Sequence, residues 1–190
     1  MDEELPAGDF AAWLAGMHGA LAGEHDVDVP CGDCTACCTS SQFVHVQPDE
    51  HDALAHIPGA LLFPAPGLPD GHVLLGYDER GHCPMLVDGR CSIYDHRPRT
   101  CRTYDCRVFP ATGIDVSEEK PAIGDRARRW RFTFASADDE QVHVALVTRA
   151  TLLRDVPWPT QRAVAAIQSV RVAISGRREM KVQRDETGDA

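Results

Sequence analysis

Phe10, Trp13, Leu14, Met17 and Leu21 recur at the three- and four-residue spacing of a helix with one apolar stripe. Asp9 stands just ahead of that stripe, where a carboxylate can cap the free N–H groups of a first turn. The pattern predicts an amphipathic packing helix over 9–23. The period then shortens. Phe43-Val44-His45-Val46 alternates like a brief strand, and Pro48-Asp49-Glu50 opens a short helix to about His56, with acids beside the proline of its first turn. Residues 58–71 hold four prolines and three glycines and read as a loop. Val73-Leu74-Leu75-Gly76-Tyr77 reads as a strand. Met85-Leu86-Val87 and Cys91-Ser92-Ile93-Tyr94 flank Asp88-Gly89-Arg90, a hairpin signal. Arg97-Pro98-Arg99 introduces a helical turn expected to carry Cys101 and Cys106. Two further helices are expected over 138–153 and 160–174, although Val142 to Val147 reads equally as a strand. The charged tail from Gly176 reads as disordered, and no internal repeat is visible.

Composition adds limits rather than detail. The chain of 190 residues is 43% hydrophobic and 25% charged, which suits a soluble globular protein large enough to bury a core without cysteine staples. No apolar run approaches the roughly 20 residues of a membrane span, and the acidic start Met1-Asp2-Glu3-Glu4-Leu5 lacks the form of a secretory signal. A cytoplasmic location and no membrane partner are therefore expected. A net charge of −10 argues against nucleic acid, whose binding rests on Lys and Arg neutralising phosphates.

The eight cysteines carry the chemistry. Cys31, Cys34, Cys37 and Cys38 fall within eight residues; Cys83, Cys91, Cys101 and Cys106 follow. An even count fits disulfides or metal. The absence of a signal favours a reducing compartment, where structural disulfides are rare. The two C-x2-C gaps of Cys31-Gly-Asp-Cys34-Thr-Ala-Cys37 let sulfurs converge on an ion at about 2.3 Å, with small residues between them. Metal is the better reading. Eight thiolates would take the protein from −10 to −18, and two divalent cations would return it only to −14, so the site calls for cations beside it.

By Cys101 the pattern resembles the YkgJ-type cysteine-cluster family, defined by C-x2-C-x2-C-C and described as a zinc- or iron-chelating domain. The residues that carry the resemblance are Cys31-Gly-Asp-Cys-Thr-Ala-Cys-Cys38, Cys83-Pro-Met-Leu and Cys91-Ser-Ile-Tyr-Asp-His-Arg-Pro-Arg-Thr-Cys101-Arg. It covers roughly residues 30–107. A related cluster occurs in flagellin lysine methylases, where it looks like an iron–sulfur site. This chain is short for such an enzyme and has no glycine-rich cofactor loop after a strand, so the resemblance implies the cluster and not the methyl transfer.

The expected architecture is α+β: a small metal-tied cysteine-rich domain over 30–107, with short strands and loops. An N-terminal helical extension over 1–29 and a mostly helical region over 108–175 flank and pack it, followed by a tail over 176–190. The expected metal ligands are Cys31, Cys34, Cys37, Cys38, Cys83, Cys91, Cys101 and Cys106. Eight soft ligands suit two tetrahedral zinc sites, or one or two iron–sulfur clusters such as a 4Fe-4S cluster, each needing four thiolates. One partition takes three cysteines from the first block and one from the second, leaving a mixed set.

Arg97, Arg99 and Arg102, with Arg107, lie where their charge can offset thiolates and their N–H groups can donate to sulfur, the alternative being a solvated basic face. His45, His82 and His96 lie near the cysteines and could substitute as nitrogen ligands, although the surface or supporting role is the better reading. Asp33, Asp95 and Asp105 read as turn or capping residues. Arg126, Arg128, Arg129 and Arg131 around Trp130 read as one exposed helix face that could meet an acidic partner. The functional expectation is a metal-binding protein holding zinc or an iron–sulfur centre, with a protein partner possible at the terminal regions. The alternatives are an iron–sulfur-dependent modifying or redox enzyme and a thiol-based metal carrier or sensor. No Walker loop, dinucleotide fingerprint, H-E-x-x-H or G-x-S-x-G supports an enzyme independently.

Overall fold

Asp9 does what its place ahead of the apolar stripe predicts. Its carboxylate accepts the amide N–H of Ala12 at 2.8 Å and opens a helix over Phe10–Leu21. In the computed structural model, which describes residues 3–25, 29 and 31–170, the elements run β1 (Leu5–Asp9), α1 (Phe10–Leu21), β2 (Val44–Val46), α2 (His51–His56), β3 (Leu62–Pro64), β4 (Val73–Leu75), β5 (Leu86–Val87) and β6 (Arg90–Cys91). Then come α3 (Arg99–Thr103), α4 (Val108–Thr112), α5 (Pro121–Ala127), β7 (Trp130–Thr133), α6 (Ala137–Leu152) and a last helix over 159–170. The chain is α+β with short strands. The residues beyond 170, which include the expected tail and the end of the second C-terminal helix, lie outside the described residues.

The chain divides into two units, and the first is built from residues 1–25, 106–116 and 127–190. β1 and β7 pair in parallel, Leu5 opposite Trp130 and Gly8 opposite Phe132. Phe10, wholly buried, packs edge-on to Phe132 at 5.4 Å and lies 5.0 Å from the ring of His143 on α6. Leu146 and Ala150 of α6 and Ala163, Ala166 and Ile167 of the last helix are buried as well. The basic stretch around Trp130 is not one helix face. Helix α5 stops at Ala127, and Trp130 to Thr133 form strand β7, its exposure alternating along the strand. Phe132 gains more against Phe10 and Trp13 than it could on a solvated helix.

The second unit comprises residues 26–105 and 117–126. Its sheet has the order β2-β4-β3, all antiparallel, with Leu75 of the central strand opposite both Val44 and Leu62. β3 lies inside the segment expected to be loop, because Leu62 and Phe63 find β4 as a partner despite the surrounding prolines. Val44, Val46, Ala53, Ile57, Leu75, Met85 and Ile93 form the core, and Cys83, Cys91 and Cys101 pack against it. The hairpin of β5 and β6 closes through Asp88 and Gly89 at φ 49 and 75°, the paired positive values of a two-residue turn. Among the described residues no helix is long and apolar enough to cross a membrane.

Candidate metal centre

Seven cysteines face one cavity. Cys31, Cys34, Cys37, Cys38, Cys83, Cys91 and Cys101 line a space of about 460 Å³ within the second unit. Phe43, Leu75, Met85 and Ile93 supply its apolar wall, and its lining includes no histidine. None of the eight cysteines is paired in a disulfide.

The first block reaches the cavity as tight turns. The amide of Cys34 donates to the carbonyl of Cys31 at 3.0 Å, so the C-x2-C loop folds back on itself. Cys37 and Cys38 then open a 3-10 turn, Cys37–Thr39. Its end is held by the Ser40 hydroxyl, which donates to Ala36 O at 2.6 Å. Lys120 also supports it, with Nζ 2.7 Å from Ser40 O and 3.4 Å from Ser41 O. Nothing in the sequence marked Lys120, which arrives from 80 residues away.

The second block comes from the hairpin and α3. Cys83 and Cys91 bracket β5, and Cys101 sits in the middle of α3, its amide donating to Pro98 O at 2.9 Å. Backbone hydrogen bonds tie the blocks together: Cys83 N–H to Cys38 O at 2.7 Å and Ser41 N–H to Gly81 O at 2.9 Å. Gly32 N–H donates to the Tyr94 hydroxyl at 3.2 Å, giving Tyr94 a role beyond shaping its own turn.

Burial pushes the Cys38 thiol up to about 12, and the neighbouring charges of Cys83, Cys91, Cys31 and Cys34 push in the same direction. Cys101 is pushed up to about 12 by burial first and then by Cys83, Cys38, Cys91 and Cys31. Burial also raises Cys83, opposed by hydrogen bonds from the Met85 and Leu86 amides. These groups repel one another as thiolates and cannot ionise together unless a cation joins them. That is the chemistry of a soft-metal site rather than of a free nucleophile.

Of Arg97, Arg99 and Arg102, Arg97 lines the cavity, as does Arg90. Arg97 is 8% exposed, lies over the Tyr94 ring at 3.8 Å, and donates from Nη1 to Cys31 Sγ at 3.6 Å. Arg99 faces acids instead: its guanidinium is 3.9 Å from Asp49, and its amide donates to Glu50. Arg102 donates from Nε to Arg97 O at 3.3 Å, bracing the backbone of the residue that touches sulfur. Among the expected aspartates, Asp33 lines the cavity and Asp105 is buried.

Cys106 does not ride on the helical turn with Cys101. Tyr104 leaves α3 in extended backbone, φ −72 and ψ 110°, and Cys106 belongs to the first unit. There the indole N–H of Trp130 donates to its sulfur at 3.2 Å. Arg107 beside it donates to Ala7 O at 3.1 Å. None of the three expected histidines lines the cavity. His45 stacks on His72 at 5.1 Å, the backbone amide of His82 donates to Asp78 at 2.8 Å, and His96 approaches Asp52.

The family model CxxCxxCC, a "putative zinc- or iron-chelating domain", matches residues 30–121. Over that segment the chain is similar to the family, and the remaining residues lie outside the match. The match runs past the cysteines to Pro121 and so takes in Lys120, whose ammonium holds the Cys37–Thr39 turn. No curated protein and no solved structure matches the chain. The description names a ligand chemistry, zinc or iron, and the donor set fits it: soft sulfur donors in an apolar pocket with a buried cation at one wall.

Proposed function

We propose that this is a metal-binding protein that keeps a thiolate-bound zinc or iron centre in the cavity of its CxxCxxCC domain, in a reducing compartment. The observation that carries the reading is the convergence of seven cysteine side chains, none in a disulfide, on one apolar cavity. Cys38, Cys83, Cys91 and Cys101 reach the cavity from the Cys37–Thr39 turn, the hairpin and α3, and Cys31, Cys34 and Cys37 complete the set from the C-x2-C-x2-C turn. Seven sulfurs satisfy two tetrahedral zinc ions sharing one thiolate, or one four-thiolate iron–sulfur cluster with three thiols beside it.

The protein's own contribution is to bring the sulfurs together, exclude water with Phe43, Leu75, Met85 and Ile93, and place the Arg97 charge against Cys31. Bound metal would supply folding free energy and, if iron–sulfur, a redox centre. Anaerobic purification with zinc, iron and sulfide analysis and an absorption spectrum is the test. Near-stoichiometric zinc without colour supports the zinc centre, and iron with matching sulfide and visible charge-transfer bands supports the cluster. Protein from metal-replete cells carrying neither would end the proposal.

A further inference from the structure

Away from the thiol cavity, three nitrogen and oxygen donors meet on the surface of the second unit. Asp52 and His56 are four residues apart on α2 and so share one helix face. His96 comes to them from the turn Tyr94–His96, which packs against α2. His96 Nδ1 lies 2.9 Å from Asp52 Oδ2, and His56 Nδ1 lies 3.7 Å from Asp52 Oδ1. The two imidazoles are stacked, with centroids 3.5 Å apart and planes inclined by 5°. One donor atom from each of the three residues lies within 4.8 Å of the others.

We propose that Asp52, His56 and His96 form a second metal site, separate from the thiols, for a borderline divalent cation such as zinc, cobalt or nickel. Tetrahedral donors at about 2.0–2.2 Å from a cation stand roughly 3.4 Å from one another, so His56 would close on Asp52 from 3.7 Å and His96 would open from 2.9 Å. The side chains can make that adjustment. Their exposures are 68% for Asp52, 41% for His56 and 40% for His96, so no packed core resists a small rotation. His96 Nδ1 donates to Asp52 Oδ2 and His56 Nδ1 lies 2.8 Å from the Asp52 carbonyl oxygen, so an ion would displace a proton from each ring and the stacked rings would have to turn to aim their lone pairs at it. The carboxylate adds negative charge: the hydrogen bond from His96 holds Asp52 below the usual carboxylate range, so it is ionised at neutral pH.

Donor chemistry sets this site apart from the cavity. Two imidazoles and a carboxylate suit intermediate cations, whereas the all-sulfur cavity selects soft ones. Three protein ligands on an exposed surface leave coordination positions to water, so the ion exchanges readily. Helix α2 and the Tyr94–His96 turn are adjoining but separate pieces of chain, and an ion here would staple them. The turn leads directly into Arg97, the residue whose guanidinium touches Cys31.

Equilibrium dialysis of the whole protein against excess zinc at pH 7.5, with zinc counted per chain, tests the site. Wild type is expected to hold one ion more than His56→Gln, His96→Gln or Asp52→Asn, all at exposed positions and each checked by circular dichroism. Cobalt substitution is the second measurement. Sulfur-to-cobalt charge-transfer absorption from the cavity is expected to be equal in wild type and variants, which separates this site from the thiolate reading. A missing charge-transfer band in every protein would sink the thiolate centre while leaving the difference in zinc count to stand alone. Equal zinc counts in wild type and all three variants overturn the proposal. So does a loss of charge transfer in the histidine variants, because the two sites would then not be separate.

Discussion

Zinc added to the metal-free protein is expected to expel protons, because burial keeps Cys38, Cys83 and Cys101 as thiols. Burial first, then neighbouring cysteines, lifts Cys38 and Cys101 from 9.0 to about 12. At pH 7.5, ionising a group with a pKa of about 12 costs on the order of 6 kcal/mol, from about 1.4 kcal/mol per pH unit. A bound cation reverses that balance, and each thiolate it recruits gives up its proton. Cys38, Cys83 and Cys101, all raised by burial, should therefore release close to three protons where one zinc recruits them. By linkage, the apparent affinity should fall by up to about 10³-fold for each unit that the pH drops.

The same shifts act on the metal-free fold with a defined sign. Between pH 9 and 12 the unfolded chain loses the protons of Cys38 and Cys101 while the folded chain keeps them. Their contribution to stability is complete below about pH 9 and is lost as the pH rises through that window. Calorimetric titration with zinc in two buffers of different ionisation enthalpy, at one pH, counts the protons directly. Cys38→Ser should lower the count by about one. A release of fewer than two protons per zinc would refute the reasoning, since the ligands would then be ionised beforehand or would not be these thiols.

Four further outcomes follow from the geometry. Cys101→Ser should abolish stoichiometric metal retention, whereas Cys106→Ser, whose sulfur accepts the Trp130 indole in the other unit, should keep the full complement by elemental analysis. Arg97→Gln removes the buried cation at Cys31 and should weaken zinc binding about 10- to 100-fold in chelator competition, with unchanged affinity as the contrary result. Removing metal with a chelator should raise hydrogen exchange in 31–39 and 83–103, while α6 in the first unit stays protected; a uniform rise would contradict this. Asp9→Ala should cost about 1 kcal/mol in urea denaturation by uncapping α1, and a variant as stable as wild type would count against the cap.

What could be read from the sequence was local. The start of α1 was visible because capping and apolar spacing both lie within a few residues of Asp9, and the hairpin because Asp88-Gly89 supplies both positive φ values. The cysteine cluster was visible because chelating turns need short gaps. What stayed hidden depends on distant partners. β1 exists only through β7, which joins Leu5 to Trp130, and neither segment signals the other. β3 is three residues amid prolines that make sense as a strand only once β4 is in place. Cys106 is five residues from Cys101, yet one extended residue at Tyr104 carries it into another unit. Arg97, Arg99 and Arg102 look equivalent as a run of charge, but only the backbone path decides that Arg97 turns to sulfur while Arg99 meets Asp49.

The elements around the cavity are too short to hold the cysteines by themselves. β5 and β6 have two residues each and α3 has five, lengths at which neither hairpin nor helix persists alone in water. Two things position them instead. The core of Val44, Val46, Leu75, Met85 and Ile93 supports Cys83, Cys91 and Cys101 from behind. The hydrogen bonds from Cys83 to Cys38, Ser41 to Gly81 and Gly32 to Tyr94 then draw the first block onto the second. Each is worth only about 1 kcal/mol net, but together they align seven sulfurs before any metal is bound. Metal thus meets a site whose ordering cost is partly met by the fold, and its binding energy goes mainly to ionising thiols. That division of labour explains why a chain with a net charge of −10 can gather so many potential anions in one place. As thiols they add no charge, and as thiolates they are expected only with the cation that balances them.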